Sequence, residues 1–167
     1  MIKEGEIYIA MKGWLMARGW SIVGGEPPSG TNTIPRIEIK DPTYTGRGSK
    51  GSRKIDLVSF KEGYFLFTEM KPRYNFRDAE KLQEIVGKKE LRKAFLEAMK
   101  EKKAMPPKAL RDECYVEESR YLIKSLAFNR PSKDPDGDFV FFIVLPSAIS
   151  AKFGPHITGD VRLLFAS

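Results

Sequence analysis

Lys54-Ile55-Asp56-Leu57-Val58-Ser59-Phe60, then Lys61-Glu62-Gly63, then Tyr64-Phe65-Leu66-Phe67-Thr68-Glu69-Met70-Lys71 is the stretch that decides the fold. Two runs of β-branched and aromatic residues flank Glu62-Gly63, and Pro72 ends the second run, so the pattern predicts a hairpin with strands over 54–60 and 64–71. A two-residue loop closed by Lys61 opposite Tyr64 sets the register. Phe60 then faces Phe65, Val58 faces Phe67, and Asp56 faces Glu69. Opposed residues project to one face, and Lys71, two residues past Glu69, shares it. The sequence thus gathers two carboxylates and an amine at the end of an apolar stripe.

Such a pair is costly in a purely structural hairpin. Like charges directly opposite each other destabilise a sheet, and the neighbouring apolar side chains lower the local dielectric and worsen the repulsion. A divalent cation compensates, because one or two carboxylates with water and phosphate oxygens make up the hard-oxygen shell that Mg²⁺ takes. A lysine beside it can orient or deprotonate a water, or stabilise charge on a phosphorane-like transition state. The competing reading of the same trio is a cross-strand salt bridge at the open end of the hairpin.

Outward from the hairpin, residues 4–18 show helical spacing, with Ile7, Met11, Trp14 and Leu15 as the apolar stripe and Gly19 as the stop. A short strand is expected over 20–23, a loop over 26–33, an edge-type extended segment over 34–40 and a Gly/Ser-rich loop over 41–52. Helix is expected over 76–103, with Gly87 a place where it bends or divides, and again over 108–126. A buried strand over 139–145, a short helix over 147–152 and a last strand over 161–165 complete the reading. Trp14 and Trp20 read as core residues, and Tyr44 as a weak base-stacking candidate.

The run Lys54 to Val58, the thirteen-residue step and then Thr68-Glu69-Met70-Lys71 resembles the PD-(D/E)XK nuclease signature. The first helix with Glu4 and Glu6, the Gly19-Trp20 turn and Ser29-Gly30 resemble archaeal Holliday junction resolvases in particular. The likeness covers roughly the first half of the chain, and the segment 100–138 matches no part of that pattern. It departs also at Ile55, where the family has proline, and in the long step from Ser29-Gly30 to Asp56. The resemblance implies an α/β fold with a restriction-endonuclease-like αβββαβ core in a single domain, 1–167. A mixed central sheet would be flanked by helices, with a helical insertion before the last strands.

It also implies phosphodiester hydrolysis dependent on Mg²⁺ (or Mn²⁺). Asp56 and Glu69 would bind metal, Lys71 would position the water, and Glu6, preferred over Glu4, would act through a metal-bound water. The substrate would be DNA, with a four-way junction or other branched form first. A homodimer would supply matched cuts on two strands, and the sequence leaves that open. DNA contacts are expected from Ser29, from Arg47, Lys50 and Arg53 in the basic loop that also carries Arg36, Lys40 and Lys54, and from Arg73 and Arg77 just after the motif. Lys88, Lys89, Arg92 and Lys93 read as a solvated helix face. Two other readings stay open: a nuclease-fold DNA-binding module without activity, and an interaction protein whose charge is incidental.

Bulk composition is consistent with this. The 167 residues suffice for one hydrophobic core. Twenty-nine Lys and Arg against 22 Asp and Glu give a formal charge of +7, an excess that favours a polyanionic partner. The lone Cys114 excludes an intramolecular disulfide, and with the single His156 it leaves no cysteine–histidine zinc cluster. The longest apolar run, 139–146, is too short to span a bilayer, and the N-terminus opens on charge. A soluble, intracellular (cytoplasmic) protein is therefore expected.

Overall fold

Two consecutive left-handed residues, Glu62 (φ 50°) and Gly63 (φ 87°), reverse the chain, the backbone pair that a tight two-residue hairpin turn requires. In the computed structural model, which describes residues 2–28, 34–46, 51–130 and 133–167, this turn joins two inner strands of a larger sheet. The elements are α1 (Glu4–Met16), β1 (Ser21–Gly25), β2 (Glu38–Lys40), β3 (Ser52–Lys54), β4 (Leu57–Lys61), β5 (Tyr64–Met70), α2 (Phe76–Gly87), α3 (Lys89–Glu101), α4 (Asp112–Glu117), β6 (Leu122–Phe128), β7 (Phe139–Leu145), β8 (Ala148–Phe153) and α5 (Gly159–Leu163).

Six strands form one mixed sheet in the order β1-β4-β5-β6-β7-β8. β5, β6 and β7 run parallel, while β1, β4 and β8 join antiparallel. Helices cover both faces, so alternate side chains of each strand enter different cores. Val58, Phe60, Phe65, Phe67, Leu126 and Phe141 pack under α2, α3 and α4. Leu57, Leu66, Met70, Ile123, Val140 and Phe142 pack under α1 and α5. The chain is thus α/β with a mixed central sheet flanked by helices.

The register of β4 on β5 is the expected one: Lys61↔Tyr64, Phe60↔Phe65, Val58↔Phe67 and Leu57↔Thr68. The first strand, however, does not run unbroken over 54–60. β3 turns away to pair with β2 in a separate two-stranded sheet, and the main-sheet strand starts at Leu57. The break at Ile55-Asp56 is held by Glu26 N, which donates to the carbonyls of Ile55 (3.1 Å) and Asp56 (3.0 Å). Gly25 lies so close that a side chain there would run into the Asp56 carbonyl oxygen, which is why the end of β1 is glycine.

Three other expectations are corrected. The helix over 108–126 is only α4 and a turn of 3₁₀ helix (Ser119–Tyr121), after which 122–128 is β6, a central strand. Lys124 and Ser125 disguise it. Every residue of β6 is buried, and its polar side chains are partnered: Lys124 Nζ reaches outward to Gln83 Oε1 (2.6 Å), and Ser125 bonds the buried Thr68 (2.8 Å). A parallel strand also needs a crossover, which α2, α3 and α4 supply. The C-terminal assignments are interchanged: the helix expected over 147–152 is β8, hairpinned onto β7, and the strand expected over 161–165 is α5 and its end. There, Val161, Leu164 and Phe165 are buried at helical spacing.

The long helix divides at Lys88 into α2 and α3. Arg92 is no part of a solvated face. Only 8% exposed, it donates to the carbonyls of Val86 (2.8 Å), Tyr115 (3.2 Å) and Val116 (2.6 Å), tying the end of α2 to α4.

Candidate active site

At the end of the hairpin away from its turn, Asp56 and Glu69 oppose each other, but the backbone ladder does not close between them. Each carboxylate instead bonds backbone across the gap. Asp56 N donates to Glu69 Oε2 (2.8 Å), and Met70 N donates to Asp56 Oδ2 (2.8 Å). These two bonds hold the acids side by side and leave one oxygen of each, Oδ1 and Oε1, without a backbone donor. Glu69 is 2% exposed, and an unpaired carboxylate at such depth is expensive.

Its remaining oxygen is occupied by Lys81 of α2, whose ammonium pairs with Glu69 Oε1 and also donates to Lys54 O (2.7 Å). Lys71 lies on the other side of the site and pairs with Glu4 at 3.4 Å. Asp78, one turn before Lys81 on α2, is close enough to add to the local field.

Electrostatics follow from burial. Desolvation pushes Asp56 above the usual carboxylate range; the Met70 N–H and the Lys81 and Lys71 ammoniums pull it back, while Glu4 pushes it further up. Desolvation likewise raises Asp78, against the pull of Lys71. Burial lowers Lys81 below an ordinary lysine, opposed by Asp56 and Glu26. For Lys71 desolvation works downward, yet Glu4, Asp56 and Asp78 outweigh it and leave it above the usual value. Burial disfavours the charged forms of Asp56 and Asp78, and an added positive charge would offset that penalty.

The helix-one glutamate at the site is Glu4, and the preference for Glu6 is corrected. Glu6 Oε2 accepts from Lys3 N at 2.6 Å and so caps the start of α1. Glu4, at the first helical position, points across to Lys71.

Of the expected DNA-contact residues, Ser29, Arg47 and Lys50 lie outside the described residues. Arg53 is engaged within the protein, with Glu84 at 2.6 Å and Asp41 at 3.8 Å, an ion pair that joins β3 to α2. Arg73 and Arg77 are exposed beside the site and carry no ion pair among the described residues. Arg130, which sequence reasoning missed, joins them through a bridge between its backbone and that of Arg73. Lys81 and Asp78 were also missed. The only signal was their i, i+3 spacing on a helix that follows the motif. Trp20 is core at 3% exposure, and Trp14 packs on Phe142 with ring centroids 5.4 Å apart.

The donor set is compatible with a hard divalent cation. Two carboxylates present one oxygen each, in a place that already draws in an ammonium, and Mg²⁺ is commonly held by one or two carboxylates with waters and phosphate oxygens. No group of three or more His, Cys, Asp or Glu side chains that could hold a metal occurs among the described residues. A cavity of about 170 Å³, lined by Tyr64, Arg120, Asp138 and His156 among others, opens at the opposite end of β5. No family model, curated protein or solved structure gives a significant match to the chain. No helix among the described residues is long and apolar enough to cross a membrane.

Proposed function

We propose that the chain is a Mg²⁺- or Mn²⁺-dependent deoxyribonuclease with the restriction-endonuclease-like core of the PD-(D/E)XK family. One observation carries the reading: Asp56 and Glu69 lie side by side at the open end of the hairpin, each with one oxygen tied to a backbone N–H, and the remaining oxygen of the buried Glu69 already holds a cation, the Lys81 ammonium. The succession α1, β1, β4, β5, α2, β6 agrees with an αβββαβ core once the small β2–β3 sheet is set aside as an insertion.

In this reading Asp56 Oδ1 and Glu69 Oε1 hold the cation. When bound, it supplies Lewis-acid polarisation of the scissile phosphate and a more acidic water. Lys71 orients that water or meets charge developing on the phosphate oxygens, with Glu4 holding its ammonium in place. Arg73, Arg77 and Arg130 bind flanking phosphates, where neutralised charge releases counterions. Branched DNA is the first substrate to test, and a homodimer would bring two such sites to it.

The test incubates labelled four-way junction, duplex, flap and single-stranded DNA with the protein, with and without Mg²⁺ or Mn²⁺. Asp56→Ala, Glu69→Ala and Lys71→Ala are run beside it. Metal-dependent cleavage lost in all three supports the reading, and variants that cut like wild type would remove these residues from the chemistry.

A second reading is a DNA-binding module of the same fold without activity. It is favoured by the pairing of both nearby lysines with acids, Lys81 with Glu69 and Lys71 with Glu4. It expects salt-sensitive DNA binding and no cleavage under any divalent cation.

A further inference from the structure

Of the four carboxylate oxygens of Asp56 and Glu69, two accept backbone N–H groups and a third, Glu69 Oε1, accepts the Lys81 ammonium. Lys81 comes from α2, outside the hairpin, and its nitrogen is fixed a second time by Lys54 O at 2.7 Å. Lys71 does not share this duty, because Glu4 holds it on the side of α1. The two lysines therefore stand in different relations to the acids. One lies beside the pair, and the other sits on the oxygen that a cation would need.

An ammonium is a compact point charge with three donors and no acceptor. It can neutralise a buried carboxylate, but it cannot share that oxygen with a divalent ion, since the two positive charges would meet within a few ångströms. The Lys81 side chain is 28% exposed while Glu69 is 2% exposed. The lysine stem thus has a route to solvent that the glutamate lacks. Whichever cation is present, the glutamate stays and the lysine is the group that leaves.

Resting on the metal-site reading of Asp56 and Glu69, we propose that Lys81 is a resident counter-ion. It occupies the Glu69 oxygen in the metal-free protein and must be displaced for a divalent cation to bind. Its role is to keep the buried acid paired, and the folded site intact, at the expense of cation affinity. Lys81 is in this sense a positioning residue and takes no part in the reaction.

The test titrates Mn²⁺ alone, without DNA, into wild type, Lys81→Met, Lys81→Gln and the double variant Lys81→Met/Glu69→Gln, followed by calorimetry. Both single variants are expected to bind Mn²⁺ about tenfold more tightly than wild type, the removed charge having acted at close range. The double variant is expected to lose that gain. Affinity equal to or weaker than wild type in both single variants overturns the proposal, since a lysine that stays in place beside a metal, or a purely structural one, gives that result.

Thermal unfolding guards against a folding defect. Without metal Lys81→Met should melt below wild type, and Mn²⁺ should raise its melting temperature more than it raises that of wild type; an equal or smaller rise counts against the proposal. In the wild type itself, saturating Mg²⁺ should abolish the protected ¹⁵N ammonium resonance of Lys81, and its persistence would overturn displacement. Cleavage assays separate the two readings. Wild-type cleavage with unchanged cation affinity in the Lys81 variants rejects the counter-ion and leaves the nuclease. Tighter cation binding with no cleavage of any DNA rejects the nuclease and leaves the counter-ion.

Discussion

Arg92 and Glu69 carry buried charge in two different regions of this molecule, and the protein treats them oppositely. Around Arg92 a guanidinium only 8% exposed is met by the carbonyls of Val86, Tyr115 and Val116. These acceptors belong to the backbone at the ends of α2 and α4, where helix carbonyls are otherwise unpaired. Around Glu69 the burial is deeper, yet one of its oxygens is met by a mobile kind of partner, the end of a lysine side chain. The neighbouring Asp56 carboxyl is pushed above its ordinary value by desolvation. The first arrangement is complete within the fold. The second is balanced by the end of a side chain that is 28% exposed, and under the proposed function that difference separates a ligand site from a structural one.

The sharpest way to break the contrast is at Glu69. Glu69→Ala should reduce metal-dependent cleavage by about 10³-fold, equivalent to about 4 kcal/mol of transition-state stabilisation. Single-turnover cleavage at saturating protein measures it. Arg92→Met should cost about 2–4 kcal/mol in urea unfolding, because backbone carbonyls lose a charged donor while buried. Cleavage by the folded fraction should stay within a few-fold of wild type. A structural charge that proved catalytic, or a catalytic one that proved merely structural, would collapse the distinction.

Smaller effects sharpen it. Asp56→Asn keeps an oxygen for the Met70 N–H and removes a carboxylate that burial disfavours. Without metal at neutral pH it should raise the melting temperature by roughly 2–4 °C, the effect of about 1 kcal/mol in a chain of this size. The sign follows from the raised pKa: the folded state holds the proton more tightly than the unfolded state. Stability from this group is therefore full below the ordinary carboxylate pKa and is lost as pH rises through the folded value. The gain in Asp56→Asn should accordingly disappear when melting is followed at pH below about 3.5. Last, Arg77→Ala should weaken DNA binding uniformly across sequences and reduce the salt slope by about one, measured by fluorescence anisotropy over a salt series.

The hairpin was readable because its information is local. Glu62-Gly63 can only turn tightly, and alternation then aligns Phe60 with Phe65 and Asp56 with Glu69. What interrupts that local rule was hidden. The departure of β3 into a second sheet depends on Gly25 and Glu26 of β1 and its exit, some thirty residues upstream. β6 looked helical because Lys124 and Ser125 broke its apolar run, and their partners, Gln83, Asp138 and Thr68, come from other elements. Val161, Leu164 and Phe165 carry the helical period of α5, but a segment this short reads equally as a buried strand.

The choice of Glu6 over Glu4 failed for the same kind of reason. Two acids in the first turn of a helix look alike in sequence, and only the cap geometry and the position of Lys71 tell them apart.

The sequence by itself determined that two acids face each other beside an apolar stripe, because strand register and side-chain alternation depend only on neighbours along the chain. The tertiary structure decided what answers that charge. α2 brings Lys81 onto Glu69, α1 brings Glu4 to Lys71, and β6 buries the pair's surroundings. None of these follows from spacing, since electrostatic partners are chosen by distance through space, and desolvation exists only once the other layers are in place.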